Sequence, residues 1–271
     1  GLGGLGTASG AKGGSKNDIY GSSLNVTSLG SGGAGGWKPG GRGGGLVIIT
    51  ASNITLNGSI LADGFDGTDH LGASTVPSAG GSGGGIFLSA DRIEGIANIT
   101  AKGGRGGIDN DDERAGGSGG GRIYVYANEI DLSGHVSAEG GNSTLTAESG
   151  QNGTIVIEFS DVIDISSATF NSPFMIARNN SFGRIVYNDV NQTTNSSIDF
   201  SNLINITNNS IIVDSDANSD LNTSADLYFY DTDSLGLTNR APYRNGYTCS
   251  LSICSEVNDN DTYVFEVTQF T

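Results

Sequence analysis

The sequence predicts an all-β protein: a right-handed parallel β-helix, or solenoid, with glycine-rich, polyglycine-II-like arms, followed by a small antiparallel β-sandwich module. Three observations predict this fold. Apolar residues alternate with period two, the alternating pattern recurs at a nearly constant spacing, and the 45 glycines come in bursts between the apolar runs. The chain has only 4 prolines and no strict three-residue glycine period, so its composition excludes collagen.

The repeat occurs in three copies, which begin at Gly45, Gly84 and Gly121. Residues at offsets 2, 4, 6, 9, 11, 15 and 17 from each origin are Ala, Val, Ile or Leu, with the single exception of Gly95. Offsets 2 to 6, 9 to 11 and 15 to 17 predict three short strands separated by corners. This pattern describes one coil of a parallel β-helix, which buries its apolar face only by stacking on neighbouring coils.

The predicted solenoid covers residues 1–215, with regular coils over about 45–140 and irregular coils over 153–215. The β-sandwich module covers 216–271. Beyond Ser167 the chain becomes rich in Asn, Asp, Ser and Thr, and short apolar runs predict further strands. These strands are Arg184–Asn188, Ile198–Phe200, Leu203–Thr207, Ser210–Asp214, Asp226–Tyr230 and Tyr263–Thr268.

Long glycine segments connect the coils, and the heptapeptide AGGSGGG occurs both at 79–85 and at 115–121. Such segments are either flexible linkers or ordered arms that pack backbone against backbone. The verbatim recurrence favours ordered arms. We expect Trp37, the only tryptophan, to pack against these arms.

The net charge of −16 predicts repulsion from nucleic acid and anionic lipid, so we exclude both as partners. No apolar run approaches the ~20 residues that a membrane-spanning helix needs. The chain does not begin with Met and has no secretory leader pattern, so we expect a mature or proteolysed product of a longer precursor.

Two features predict an extracellular location at the cell surface. Cys249 and Cys254 are the only cysteines and predict a small disulfide loop, with free thiols or half a metal site as the alternatives. N-glycosylation sequons are the second feature, and they far exceed the about five expected by chance from the Ser and Thr content. They begin at Asn25, Asn53, Asn57, Asn98, Asn142, Asn152, Asn179, Asn191, Asn195, Asn205, Asn208, Asn222 and Asn260.

The sequence requires no cofactor, and a Ca²⁺ site is the only metal site that it offers. Oxygen ligands alternate along Asp214, Asp216, Asn218 and Asp220, a spacing that suits a hard cation. The stretch lacks the glycine and the final glutamate of an EF-hand loop, and the alternative is a solvated turn rich in Asp and Asn. We predict no catalytic residues. The outward residues at offset ten are Thr55, Glu94 and Asp131, so two carboxylates are neighbours only at Glu94 and Asp131, whereas hydrolases and lyases need a set of such groups on one strand face.

The patterns GGxGGGxIxIxA and xIxAxGG, in which x is any residue, resemble the glycine-rich solenoid repeats of large, uncharacterised cell-surface proteins. The segment LYFYDTDSLGLTN, the cysteine pair and the closing YVFEVTQFT resemble β modules repeated in archaeal cell-surface proteins. The resemblance implies surface display in a filament or layer and transfers no active site. We expect a structural subunit that associates with copies of itself. The alternatives are an adhesin that binds extracellular glycans and, less favoured, a β-helix polysaccharide lyase or hydrolase.

Overall fold

The computed structural model describes residues 26–69, 77–108, 115–143, 148–165, 167–172, 174–190, 200–207, 210–217, 221–231, 243–244, 247–250, 252–259 and 262–270. These residues form an all-β protein with one helical turn, α1 (Phe200–Leu203). The strands are β1 (Leu46–Leu61), β2 (Gly85–Thr100), β3 (Arg122–Ser137), β4 (Thr154–Asp164), β5 (Ala168–Phe170), β6 (Phe174–Asn179), β7 (Gly183–Val190), β8 (Ile204–Thr207), β9 (Ser210–Val213), β10 (Ala225–Phe229), β11 (Tyr243–Arg244), β12 (Tyr247–Thr248), β13 (Cys254–Asp259) and β14 (Tyr263–Val267).

One large mixed sheet contains most of these strands. Its order is β1-β2-β3-β4-β6-β7-β10-β14-β13, and β5 also pairs with β3. Every pairing from β1 to β6 is parallel, and every pairing from β6 to β13 is antiparallel. The predicted all-β class is therefore confirmed, with a mostly parallel sheet over the repeat region.

The register of β1, β2 and β3 agrees with the repeat. Residues at equal offsets are hydrogen-bonding partners, as Ile54, Ile93 and Ile130 illustrate. Each predicted trio of short strands is one run of 16 residues. The predicted corners are still visible within these runs: pairing lapses at Ser52, and Gly58 has a φ of 144°. A residue with Cβ rarely adopts that backbone conformation, so the corner favours glycine.

The inward side chains form apolar columns that run from strand to strand. In β2 and β3 they are fully enclosed: Ile86, Ile99 and Val136 are all 0% exposed. Each buried aliphatic side chain of this size contributes about 2 kcal/mol. The core continues through β6, β7, β10 and β14, where Tyr187 and Phe265 are buried.

The longer strands after residue 216 join the large sheet, whereas the two-residue strands β11 and β12 pair only with each other. β10, β14 and β13 are antiparallel, as expected for the module, but β10 pairs with β7 and so extends the large sheet. The division at 215/216 stays a prediction.

Two expectations about irregular coils are wrong. Phe200, predicted as the end of a strand, begins α1. β8 and β9 lie where strands are predicted, but they pair with each other antiparallel in a separate two-stranded sheet. Only residues 208 and 209 separate them, whereas parallel strands need a connection of about a dozen residues.

The predicted disulfide between Cys249 and Cys254 is confirmed. It closes a short loop at the start of β13, with Cys254 buried against the core. No helix in the described parts of the chain is long and apolar enough to cross a membrane.

Candidate functional site: a glycine array beside the strands

Eight glycine-rich segments lie beside the strands and form what we call the glycine array. We number them along the chain: segment 1 (28–36), segment 2 (38–45), segment 3 (62–69), segment 4 (77–85), segment 5 (101–108), segment 6 (115–121), segment 7 (138–143) and segment 8 (148–153). They are joined by backbone hydrogen bonds, although the residues lie almost entirely outside the strands.

The hydrogen bonds of segment 4 follow a three-residue period. The N–H groups that donate to segment 3 are those of Ser78, Gly81 and Gly84. The next residues along, Ala79 and Ser82, each donate to segment 1 over 2.9 Å. Gly83 donates to Gly119 of segment 6 over 3.0 Å. Three successive N–H groups therefore point to three different neighbours, whereas successive N–H groups of a β-strand alternate between two sides.

Segment 6 repeats this behaviour. The N–H groups that donate to segment 5 are those of Ala115, Ser118 and Gly121, and those of Gly117 and Gly120 donate to segment 8. Segment 4 exchanges hydrogen bonds with segments 1, 2, 3, 5 and 6. A segment with five hydrogen-bonded neighbours lies inside a bundle of backbones rather than in a sheet, where it would have two.

The close approach of these backbones explains why the residues are glycine. A Cβ at Gly64 would lie 1.9 Å from the Gly81 carbonyl oxygen, and a Cβ at Gly104 would lie 2.0 Å from the Phe65 carbonyl oxygen. No side chain fits at such distances, because real Cβ contacts are more than an ångström longer. Glycine here serves packing, as at the crowded axis of the collagen triple helix.

The two heptapeptides are not in equivalent positions. Gly85 pairs with Arg122, so the segment 115–121 lies one residue out of step with 79–85. In both copies, however, the glycines are buried while the Ala and the Ser, three residues apart, are half-buried. The heptapeptide thus places its only side chains on the face of the segment that has room for them.

Side chains along segments 3, 5 and 7 add polar contacts at the surface of the array. Asp66 accepts the backbone N–H of Arg105 over 2.8 Å. Partial burial of Glu139 opposes its ionisation, but the hydrogen bonds from Lys102 and Ser137 and the charge of Lys102 together outweigh this effect and lower the pKa of Glu139. These groups are more than a third exposed, so each ion pair contributes at most about 1 kcal/mol.

One buried charged cluster was missed by the sequence analysis. Glu158 of β4, 4% exposed, accepts hydrogen bonds from Tyr124 (2.5 Å), Arg184 (2.8 Å) and Asn179 (3.0 Å). Burial, and then the bond to Glu158, raises the pKa of Tyr124. The cluster ties β3, β4, β6 and β7 together on the face opposite the main core. Its only sequence signal is a charged residue between two apolar ones in a strand, a common pattern for solvent-facing positions.

The sequons divide into two kinds. Among the described residues, seven have an exposed asparagine: Asn53, Asn57, Asn98, Asn142, Asn152, Asn205 and Asn222. Asn179 is half-buried, and its amide donates to Glu158 while its carbonyl accepts the Tyr230 hydroxyl. Five further sequons lie outside the described residues: Asn25, Asn191, Asn195, Asn208 and Asn260.

The candidate Ca²⁺ stretch is described only in part. Asp214 and Asp216 are exposed, and Asp214 Oδ1 accepts the N–H of Ala217 over 3.0 Å, as in a solvated Asp turn. Asn218 and Asp220 lie outside the described residues. No group of three or more Asp, Glu, His or Cys side chains that could hold a metal ion occurs where the structure describes the chain.

Two sequence expectations about surface residues need correction. Trp37 does not pack against the array: it is 70% exposed, as is Phe65 of segment 3 at 65%. The carboxylate column is also longer than expected, because Asp164 is in register with Asp131 and continues the stack from Glu94.

Comparison of the chain with protein-family models, curated proteins and solved structures gave no match.

Proposed function

We propose that this chain is a structural subunit of an extracellular, N-glycosylated filament, sheath or surface layer. Its repeat region is a right-handed parallel β-solenoid whose glycine segments are polyglycine-II-like arms. The observation that carries the proposal is the three-residue period of the hydrogen bonds in segments 4 and 6, because a polyglycine-II-type backbone has three residues per turn. Such a bundle serves shape and strength.

The external location is supported by the disulfide and by the exposed sequons. The resemblance to archaeal surface modules points to the same place. Glycans on the outward positions would keep the surface hydrated, while the stacked strands leave their ends available for contact with other copies. We assign no reaction to the chain: its most enclosed carboxylate, Glu158, is held by three donors inside the structure.

Two measurements test the proposal. Amide exchange is expected to protect Gly81 and Gly117 as strongly as the strands, although neither lies in a strand. The glycosylated protein, secreted by a eukaryotic or archaeal host, is expected to form ordered assemblies in negative-stain images as its concentration rises. Fast exchange of the array amides contradicts the proposal that the glycine segments are ordered arms. A protein that stays monomeric at several milligrams per millilitre contradicts the structural role.

A second candidate, an adhesin that binds extracellular glycans, is favoured by the exposure of Trp37 and Phe65. Aromatic rings stack on the apolar faces of sugars, and large exposed rings are uncommon without a partner. Glycan-array binding that is lost in Trp37→Ala, and kept in a control with Tyr247→Ala at an equally exposed ring, supports this candidate. No glycan binding by the parent protein contradicts it.

A further inference from the structure

β1 forms an open edge of the large sheet. Its partner on one side is β2, and its other side has no strand within the described parts of the chain. β1 is 16 residues long and contains neither a charged residue nor a proline. Natural edge strands are usually short, charged, bulged or covered, because a long uncharged edge is a template for pairing with another chain.

The strand at the opposite end of the same sheet carries these protections. β13 is 6 residues long, and its pairing with β14 shifts register between Glu256 and Asn258. Glu256 is exposed and is the register partner of the buried Phe265, so this short edge strand carries a charge. Bulges and charges on an edge strand discourage strand pairing. The two ends of the sheet therefore differ, and only the β1 end is suited to pairing.

The core is incomplete at the β1 end. Val47 and Ile60 are half-buried, whereas Ile86 and Ile99, which follow them in the same columns, are 0% exposed. On the outward face Ile48 is 55% exposed. A strand stacked on the part of β1 before Ser52 would enclose Val47 and Ile48, at about 25 cal/mol for each Å² of apolar surface removed from water.

The glycine array is also open at this end. Gly32 and Gly35 of segment 1 are exposed, and a Cβ on either would meet no atom closer than 3.5 Å. Their φ angles do not lie in the left-handed region, so neither contacts with the described residues nor backbone conformation requires glycine there. Glycines inside the array, by contrast, touch a neighbouring backbone. Glycine at the open face suits contact with the backbone of another chain.

Charge permits self-association at this end. Between residues 26 and 62 the chain has two cations, Lys38 and Arg42, and no carboxylate, although the whole molecule has a net charge of −16. The exposed carboxylate of Asp66 lies on segment 3, whose Phe65 N–H donates to the backbone carbonyl of Arg42. The β1 strand itself is therefore free of the negative charge that would oppose contact between two copies.

We infer that β1 pairs antiparallel with β1 of a second copy across a two-fold axis, which makes an end-to-end dimer the building unit of the assembly. The inference rests on the proposed structural role and specifies which surface of one copy contacts the next copy. The axis passes near Ile48, the exposed centre of the straight run before the Ser52 corner. Ile48 then faces its own counterpart, and Leu46 faces Thr50 of the second copy.

A lysine substitution in β1, with a matched control in β2, tests the β1–β1 contact by sedimentation velocity and light scattering. Ile48→Lys places two cations face to face on the edge and is expected to weaken dimerisation at least about tenfold. Ile96→Lys makes the same change at a 67% exposed isoleucine of β2, inside the sheet, and is expected to dimerise like the parent. If the parent assembles and both variants assemble equally well, the β1 contact is wrong and the structural role stands. If the parent stays monomeric, both proposals fail.

Cross-linking tests the symmetry and does not depend on the lysine variants. Directly opposed residues of an antiparallel pair lie within the reach of a disulfide. Under mild oxidation Ile48→Cys is expected to form a covalent dimer of more than half the protein, while the control Ile96→Cys stays monomeric. Equal cross-linking of the two variants, or none in Ile48→Cys at concentrations where the parent associates, overturns the two-fold arrangement.

Discussion

Gly81→Ala tests the close packing of the glycine array most directly. The new methyl group would lie 2.0 Å from the carbonyl oxygen of Arg42 and 2.4 Å from its carbonyl carbon, so segment 4 must move by more than an ångström. Gly81 also donates to Phe65 and accepts from Gly104, each over 2.8 Å. Overpacking costs about 1–3 kcal/mol and each weakened hydrogen bond about 1 kcal/mol. The expected loss in the free energy of unfolding is about 2–4 kcal/mol.

Gly35→Ala is the matched control, because the nearest atom to its methyl group is 3.5 Å away and its φ is not left-handed. Alanine there restricts the unfolded chain and is expected to change stability by between zero and about +1 kcal/mol. Urea unfolding followed by circular dichroism measures both variants. A 3 kcal/mol loss corresponds to a fall of about 5 °C in Tm at this chain length. If the variants differ by less than about 0.5 kcal/mol, the segments do not pack as described.

Three further predictions concern single side chains. Tyr124→Phe removes a donor from buried Glu158 and is expected to cost about 2 kcal/mol at neutral pH. Burial, and to a smaller extent this hydrogen bond, raises the pKa of Tyr124 in the folded protein. The parent should therefore lose this stability as the pH rises above about 10, where the unfolded chain begins to ionise, and unfolding of parent and variant as a function of pH measures the loss. Glycopeptide mass spectrometry is expected to find Asn98 modified and Asn179 bare, since the amide of Asn179 is engaged; a glycan on Asn179 contradicts the cluster. Glu139→Gln should lower stability by at most about 1 kcal/mol at pH 7, and because the pKa of Glu139 is lowered in the folded protein, this loss should shrink as the pH falls through that lowered pKa; a loss that does not change between pH 7 and acid pH in urea titrations argues against the ion pair.

The strands of the repeat could be predicted because one physical rule governs them. Side chains that alternate in and out of a sheet must be apolar at every second position, and stacked strands must place these positions in register. Ile54, Ile93 and Ile130 satisfy both conditions and are partners in the structure. The corner at Ser52 follows from the same pattern, because the phase of the alternation changes between Ala51 and Ile54.

The partners of the array segments and of Glu158 could not be predicted, because they depend on which chains meet in space. The repeat origins Gly84 and Gly121 already place the two heptapeptides one residue out of step, but glycine has no side chain to indicate which neighbouring segments each one contacts. Glu158 looks like any solvent-facing strand residue until β6 and β7 bring Asn179 and Arg184 to it. The sequon at Asn179 is misleading for the same reason: a local motif does not report burial.

The array and the strands depend on each other unequally. Ordering a glycine costs about 1–2 kcal/mol of backbone entropy or more, whereas each backbone hydrogen bond returns about 1 kcal/mol net, so an isolated bundle of these segments would not persist. Segments 3, 5 and 7 begin at Ala62, Ala101 and Ala138, each the first residue after β1, β2 or β3. These alanines are 2%, 0% and 0% exposed and belong to the core. The core thus fixes where each segment starts, and the array is held only while the strands are stacked. A core substitution such as Ile99→Ala should therefore release the array amides together with β2, whereas Gly81→Ala should loosen the array and leave the strands protected.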